Sequence, residues 1–531
     1  MWKKSVEPTR KSEHLCSIIF MRKRLLFYGC LLSRVLWPLF AYGQENGTVR
    51  ERIEKYCLRL ELDKASQLIE YEYNPIYQTY FSHHIAFYKA LISENQGYQD
   101  EFNAVTNLAY ATLEKKKPDG MRNVFMAEFL FERAVLNLKT RNYLSAANEI
   151  RKSHNILTNN LKNYPNIVMT KRLLGLYEIA LTTIPSEFKG IIELLGYKGN
   201  VIEGIAKLRF AAQKSELMRT ECEILLIYVQ KHILADIDGA YKQIDSLHKT
   251  DPSNLLFTYL KANLSMDKKK NNQAILLLHE AEKIQETTPA ISFPFLEYLL
   301  GKTYFFQQQY FESAQYYEKF LGQYRGKNIR SEVSYKKALC AELLGNRESA
   351  RKQYLSVLEL PSTDLDEDNY AKKWAGMLSK RPLTETETVL LKTRNQFDGG
   401  YFIACQETLE ILISKIQQLN YDERCEVYYR MGRLFLEKKN YPKAKLYLNL
   451  AIQQNPTYNL WMKVYAHYYS GVLMENLADW HSARRFYRLA LSFSNYDFQK
   501  GLEQKAKAGL DRLKDITYDS KKEQENDTLK N

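Results

Sequence analysis

Histidine and cysteine are the side chains of this 531-residue chain best suited to metal binding or nucleophilic chemistry. His83 and His84 are adjacent, so a helix would point their rings about 100° apart and prevent them from chelating one metal ion together. His467 and His481 are isolated in the sequence. We therefore expect neither a metal site nor a bound cofactor.

The cysteines also lack the spacing of a functional site. Those beyond residue 43 are far apart and form no C-x-x-C pair: Cys57, Cys222, Cys340, Cys405 and Cys425. This spacing indicates neither a zinc site nor a disulfide framework, and it favours a role as small buried hydrophobic residues. The chain contains no G-x-S-x-G, P-loop, H-E-x-x-H or GxGxxG motif. The sequence therefore predicts a protein that is not an enzyme, although a triad assembled from distant residues, or an unrecognised domain in 161–220, stays open.

The elements that carry these residues are predicted to be helical and to repeat in windows of 34 residues. Strand signals are scarce, whereas runs rich in Leu, Ala, Lys, Glu and Tyr are long. In residues 425–458 the recurring positions are Gly432, Phe435, Tyr441, Ala444, Ala451 and Pro456. In residues 464–497 the same offsets hold Gly471, Met474, Trp480, Ala483 and Ala490. Less complete versions of the pattern occupy 127–160, 221–254, 255–288, 294–330, 331–364 and 385–418.

Each window predicts two antiparallel helices, because small residues recur where such helices would cross. Residues such as Gly432 and Ala444 allow the two helix axes to approach closely. Pro456 ends the second helix, since proline lacks an amide donor and clashes with the preceding turn. A single pair of helices cannot bury its apolar face alone, so neighbouring pairs must stack into a superhelix.

This pattern resembles the tetratricopeptide repeat over roughly residues 48–514. The resemblance implies an all-α fold, a right-handed superhelical solenoid of helix-turn-helix repeats. A shorter stretch, residues 194–212, resembles the Iml2/TPR39-like group of repeat proteins.

The completeness of the pattern predicts the domain organisation of the chain. Two interruptions are expected, one in 161–220 and one at the acidic run Asp364 to Asp368, which lies between Pro361 and Pro382. The predicted parts are an upstream extension and signal peptide (1–43), a degenerate helical array (44–220), a repeat array (221–364), a linker or hinge (365–384), a second repeat array (385–497), a capping helix (498–516) and a disordered tail (517–531).

The resemblance also assigns the candidate binding residues. In tetratricopeptide repeats one position of the first helix projects into the concave groove, and here that position holds Tyr259, Tyr298, Tyr335, Tyr429 and Tyr468. One hypothesis is an aromatic ladder that grips a peptide, and the other is that these tyrosines pack on the adjacent helix. Arg433, Lys302 and Asn263 occupy another groove-facing place and are suited to hold a partner's carboxylate. The fixed Lys/Asn/Arg set with which some tetratricopeptide domains clamp a C-terminal carboxylate is not reproduced.

The N-terminus has the order of a secretory signal peptide. Basic residues follow Met21, an apolar run extends from Leu25 to Phe40, and small residues precede Gln44. Residues 1–20 would then be an upstream extension. Arg34 interrupts the apolar run, so an uncleaved anchor and a cytosolic protein stay open as alternatives.

Together these features predict a non-catalytic scaffold that binds a protein or peptide partner in the concave groove. We expect it in an exported complex associated with the envelope or a membrane, in the periplasm if the source has two membranes, with no transmembrane span in the mature chain. The net charge of +14 comes from interspersed Lys and Glu and not from a basic stripe, so no nucleic-acid partner is expected. The alternative is an intracellular, cytoplasmic adaptor or regulator.

Overall fold

The computed structural model describes residues 47–183 and 199–528, and every regular element in those ranges is a helix. The first twelve are α1 (Val49–Leu58), α2 (Leu62–Leu68), α3 (Pro75–Ser93), α4 (Gln96–Glu114), α5 (Gly120–Lys139), α6 (Tyr143–Asn163), α7 (Val168–Thr183), α8 (Val201–Lys214), α9 (Arg219–His232), α10 (Ile237–Thr250), α11 (Leu255–Asp267) and α12 (Asn271–Thr287). The predicted signal segment, 1–43, and part of the stretch 194–212 lie outside the described residues.

The remaining helices continue the same alternation to the C-terminus. They are α13 (Phe295–Phe306), α14 (Tyr310–Gln323), α15 (Arg330–Leu343), α16 (Arg347–Glu359), α17 (Asp366–Leu378), α18 (Glu385–Gly399), α19 (Phe402–Ser414), α20 (Tyr421–Glu437), α21 (Tyr441–Gln453), α22 (Leu460–Asn476), α23 (Trp480–Leu491) and α24 (Gln499–Thr528). Consecutive helices pack in pairs, and each pair packs on the next. The prediction of an all-α solenoid of helix-turn-helix units is confirmed.

The pairs fold because local signals fix both the turn within a pair and the end of its second helix. The residue in the turn adopts a left-handed backbone conformation in successive repeats, at Lys269 (φ 58°), Gln308 (φ 61°), Gly345 (φ 83°), Gly400 (φ 83°) and Lys439 (φ 56°). Second helices end shortly before a proline, as α16 does before Pro361 and α21 before Pro456. Thr384 and Asn420 form capping boxes at the starts of α18 and α20.

Glycine lies where the two helices of a pair cross, as predicted. A Cβ atom added at Gly301 would lie 2.6 Å from the Tyr317 ring, and one added at Gly471 would lie 2.6 Å from the Tyr487 ring. In both repeats the second helix therefore packs a tyrosine onto bare backbone of the first helix. Tyr317 and Tyr487 are fully buried, so the missing Cβ makes room for a large apolar contact.

The solenoid coils tightly enough that parts of the chain far apart in sequence touch. The backbone N–H of Ile291 donates to the Leu60 carbonyl at 2.8 Å, and the Arg59 guanidinium pairs with Asp251 at 2.6 Å. The Tyr324 hydroxyl donates to the Glu94 carboxylate at 2.8 Å. We call these interactions the inter-turn contacts. They join residues just after helices α1 and α3 to residues just after helices α10, α12 and α14.

The segment 365–384, predicted as a linker or hinge, contains α17, which packs on α15 and α16. Its acidic run has a capping role: the Asp368 carboxylate is buried and accepts hydrogen bonds from the backbone N–H groups of Ile329 and Glu332, both at 2.9 Å. Ala371 and Ala375 are buried against the same core. The carboxylate thus satisfies amides at the start of α15 that would otherwise lack acceptors.

The final helix, α24, continues to Thr528, past residue 516, the predicted end of the capping helix. Residues 521–525 are Lys, Lys, Glu, Gln and Glu, and 517–528 contain neither Gly nor Pro; Lys, Glu and Gln extend a helix readily. Within the parts of the chain that the structure describes, no helix combines the length and the apolar character needed to cross a membrane.

We expect Gly471→Ala to lower the free energy of unfolding by about 1–3 kcal/mol, because the new methyl group overpacks the contact with Tyr487. Gly322→Ala is the matched control, since a Cβ at Gly322 in α14 meets nothing within 4 Å. Urea titration followed by far-UV circular dichroism measures both variants. Equal midpoints for the two variants would contradict the close crossing.

Candidate functional site

The first helices of the central repeats surround a partly open cavity of about 310 Å³, which we call the inner cavity. It is lined from α11, α13, α15, α17 and α18 by charged and aromatic side chains, including Asp267, Lys302, Phe306, Glu332, Tyr335, Lys336, Glu367, Tyr370, Arg394 and Asp398. Pockets for small ligands span about 300–1,000 Å³. The inner cavity is therefore large enough for a side chain or a small molecule but too small for an extended peptide.

A further contact between distant segments closes this cavity by joining the turn between α11 and α12 to the end of α18. The Lys269 ammonium lies 3.0 Å from an Asp398 carboxylate oxygen, and the Tyr401 hydroxyl donates to the Asn272 side chain at 2.8 Å. Burial raises the pKa of Asp398, but the charges of Lys269 and Arg433 outweigh burial and hold that pKa well below its usual range. Asp398 is therefore an ionised carboxylate at neutral pH.

Most charges around the inner cavity are paired, but Lys302 and Glu367 form no ion pair among the described residues. The Lys336 ammonium pairs with Glu332, and the Arg394 guanidinium donates to Glu426 at 3.2 Å. Lys302 takes part in none of the ion pairs formed by the described residues. Burial, together with the nearby Lys336 charge, lowers the pKa of Lys302. An anionic group placed beside Lys302 would stabilise its ammonium against both burial and the nearby Lys336 charge.

Three of the sequence-predicted residues lie on helices that line this cavity, α11, α13 and α15, but only Tyr335 is itself a lining residue. Tyr335 lines it and is 8% exposed. The Tyr298 hydroxyl donates to both oxygens of Glu332 at 3.2 Å, so it supports a lining residue. The Tyr259 ring packs edge-on against Phe293 with 4.7 Å between ring centroids.

The other three, from the C-terminal repeats, form a separate cluster. The Arg433 guanidinium lies over the Phe397 ring at 4.3 Å and over the Tyr469 ring at 4.9 Å. Tyr429 is 1% exposed, and Tyr468 is buried with its ring 5.7 Å from that of Tyr487. The six predicted residues therefore form no continuous exposed ladder. Neighbouring first helices pack closely on one another, so several of these side chains are buried between them.

Sequence reasoning missed the charged residues that complete the inner cavity. Arg394 and Asp398 lie one turn apart on α18, and Glu332 lies on α15 one turn before Lys336. Such spacing is typical of solvated helix faces, so the local signal gives no hint of a cavity. Phe498, which also lines it, has a left-handed backbone with φ 63°, a conformation rare for a bulky residue.

A second and larger space, which we call the N-terminal groove, lies between α1 and the helices α9 to α11. It has a volume of about 1,230 Å³ and is lined by residues such as Arg50, Glu54, Tyr73, Leu217 and Asn254. The Tyr73 side chain is 96% exposed at its rim. This groove is formed by the inter-turn contact of Arg59 with Asp251, which the sequence does not predict.

Comparison with known proteins gives the repeat class. Residues 170–373 match the family described as Iml2/Tetratricopeptide repeat protein 39, and residues 426–458 match the family described as tetratricopeptide repeat. The chain therefore contains tetratricopeptide repeats and an Iml2/TPR39-like region. The second match confirms the repeat in 425–458, and the first extends the predicted resemblance well beyond 194–212. A search of curated protein sequences finds no match.

Several solved structures are similar to this chain. Yeast Tom70 is 13% identical, with 88% of this chain and 97% of that chain covered and a TM-score of 0.30. The Cut9 and Hcn1 hetero-tetramer structure of the APC/C gives 12% identity, 87% and 95% coverage and a TM-score of 0.28. A tetratricopeptide repeat protein from Parabacteroides merdae is 12% identical, with 55% of this chain and 98% of that chain covered and a TM-score of 0.24.

We expect Gly400→Ala to loosen the closure of the inner cavity, because a Cβ at Gly400 would overlap the backbone oxygen of Lys269. Gly345→Ala is the matched control: it has the same φ of 83°, but its Cβ would meet nothing within 4 Å. Gly400→Ala should lower the urea midpoint further than Gly345→Ala and increase the radius of gyration in small-angle X-ray scattering. Indistinguishable variants would show that the contact between Gly400 and the Lys269 turn does not form in solution.

Proposed function

We propose that this tetratricopeptide protein is a non-catalytic scaffold that binds a protein partner through the inner cavity. The observation that carries the proposal is the half-buried Lys302 ammonium, which lacks an acidic partner in a cavity lined by aromatic rings. The repeat class supports protein binding as the general role. The partner supplies a carboxylate-bearing side chain or chain terminus.

Recognition follows from the size and charge of the inner cavity. A carboxylate that enters it makes a charge-assisted hydrogen bond with Lys302, and such bonds are about twice as strong as neutral ones. The Tyr335 and Phe306 rings offer apolar contact to the carbons next to that carboxylate. The cavity is largely formed in the absence of a partner, so little conformational entropy is lost on binding.

We place this scaffold in an exported complex associated with the cell envelope. The support is the basic, apolar and small-residue order of residues 21–43. A fusion of residues 21–50 to a reporter that is active only after export tests this location. Absence of reporter activity would favour the intracellular adaptor.

Partner binding is tested with Lys302→Met, which removes the ammonium and keeps most of the side-chain volume. Partners captured by the wild-type chain from cell extract are identified, and their affinities are then measured by calorimetry. We expect Lys302→Met to weaken binding by about 10- to 100-fold, the equivalent of one charge-assisted hydrogen bond. Lys352→Met is the control, because Lys352 is exposed on α16 and pairs only with Glu348.

Two results would decide against this mode of binding. Unchanged affinity of Lys302→Met for every captured partner would exclude the inner cavity as the recognition site. Equal losses in Lys302→Met and Lys352→Met would indicate general electrostatic attraction. Tyr429→Ala and Tyr468→Ala are unsuitable probes, since emptying buried aromatic positions costs about 3–5 kcal/mol of stability.

A further inference from the structure

A cluster of charged and imidazole side chains is buried in the N-terminal half of the chain, where α3, α5, α7 and α9 meet. We call it the His–Glu cluster: its members are His83 and His84 from α3, Glu128 and Glu132 from α5, Arg172 from α7 and Glu221 from α9. All of them except Glu221 are at most 4% exposed. Burying this much charge is costly unless it is closely compensated, so the arrangement needs a specific physical reason.

Both imidazole rings direct their Nδ1 atoms at the same carboxylate, contrary to the expectation from sequence. His84 Nδ1 lies 2.8 Å from Glu132 Oε1, and His83 Nδ1 lies 3.0 Å from Glu132 Oε2. The two rings diverge along α3, as adjacent residues must, but the Glu132 carboxylate spans the space between them. His84, Glu128 and Glu132 each bring a possible ligand atom within 4.8 Å of the others.

The outer nitrogen of each ring faces an acceptor. His83 Nε2 lies 2.9 Å from the Thr106 hydroxyl oxygen, and His84 Nε2 lies 3.6 Å from Glu221 Oε2. Histidine ligands of metal ions commonly donate their second N–H to a carboxylate or another oxygen, which fixes the ring and leaves the inner nitrogen free for the metal. His83 has this orientation, whereas the contact of His84 Nε2 with Glu221 at 3.6 Å is electrostatic and too long for a hydrogen bond.

Glu132 gives an independent indication that a ligand is missing from the cluster. The Thr106 hydroxyl donates its own hydrogen to the Phe102 carbonyl at 2.7 Å, so His83 Nε2 must carry the hydrogen of its contact with Thr106. His83 Nδ1 and Glu132 Oε2 lie 3.0 Å apart, and neither atom is satisfied by a hydrogen bond. A buried carboxylate oxygen in this position would be satisfied by a bound cation.

The net charge of the cluster leads to the same conclusion. The Arg172 guanidinium donates to Glu128 at 2.6 Å and to Glu221 at 2.8 Å. Histidines aside, Arg172 supplies one positive charge against the three carboxylates of Glu128, Glu132 and Glu221. A divalent ion beside them would supply the other two.

We propose that His84 Nδ1 and the carboxylates of Glu128 and Glu132 bind a divalent first-row transition-metal ion. Imidazole with carboxylate is a donor set that suits Zn²⁺, Mn²⁺ and Fe²⁺ better than Ca²⁺ or Mg²⁺. Arg172 and the Tyr80 hydroxyl, which donates to Glu128 at 3.3 Å, orient the carboxylate. The ion acts as a structural staple between α3 and α5 and contributes no step to partner binding.

Glu54 connects the N-terminal groove with the surroundings of the His–Glu cluster. It lines that groove, and its Oε2 accepts the backbone N–H of Met218 at 3.0 Å, next to the start of α9, which carries Glu221. Glu54 Oε1 is buried without a hydrogen-bond partner. We expect the ion to approach the cluster from this side.

The proposal is tested on the full chain after dialysis against a chelator, with Zn²⁺ and Co²⁺ salts as probes. We expect one ion per chain, visible absorption from Co²⁺ that Zn²⁺ removes, and a rise in the thermal midpoint that grows with Zn²⁺ concentration. Glu132→Gln and His84→Gln should each weaken Zn²⁺ binding by more than about 100-fold, since even indirect partners of a metal contribute 10- to 100-fold.

The double variant His279→Gln and Glu282→Gln is the matched control. It removes a half-exposed His–Glu pair with 3.0 Å between Nδ1 and the carboxylate, and it should bind Zn²⁺ as the wild type does. If the cluster variants fail to fold, the ¹⁵N-histidine NMR spectrum of the wild type decides instead, because Zn²⁺ should shift the resonances of buried His84. No bound ion in the wild type, no shifted histidine resonance, or equal Zn²⁺ affinity in the His84 and control variants would overturn the proposal and leave a proton-sharing network.

Discussion

Each helix pair of this chain has an apolar face that only the next pair can cover, and the whole structure depends on how closely the pairs approach. Tyr317 and Tyr487 are fully buried because the facing glycines, Gly301 and Gly471, carry no Cβ. Close crossing fixes the angle within a pair, and repetition of that angle turns the stack into a coil. Local crowding at a few glycines thus sets the curvature of the array.

The tight coil has a consequence that an open solenoid lacks, since one part of the array touches another. Arg59 with Asp251, Tyr324 with Glu94 and Lys269 with Asp398 join residues far apart in sequence. The surface of the first helices is consequently divided into an inner cavity and an N-terminal groove. The tyrosines of the first helices likewise fall into two groups, those that line the inner cavity and those that are buried in the core.

The two halves of the array treat buried charge differently. Around the inner cavity most basic side chains pair with a carboxylate. Lys302 does not, so its ammonium suits an anionic ligand. In the His–Glu cluster the carboxylates outnumber the cations, which suits a metal ion. Both imbalances lie where first helices from several repeats converge, because only there do side chains from distant segments leave water together.

The sequence by itself determined the class of fold, the helix pairs from 221 to 497 and the crossing positions such as Gly432 and Gly471, because these depend on residues within one period. It did not determine that α17 packs on α15 and α16, that Tyr429 is buried, or that Arg394 and Lys302 share a cavity. Nor did it show that His83 and His84 both reach Glu132, since a helix separates their directions and only α5 supplies the carboxylate between them. Only the tertiary structure decided those features. Each repeat adds a small rotation to the coil, and the surfaces that finally meet depend on the sum of these rotations. No single 34-residue window contains that sum.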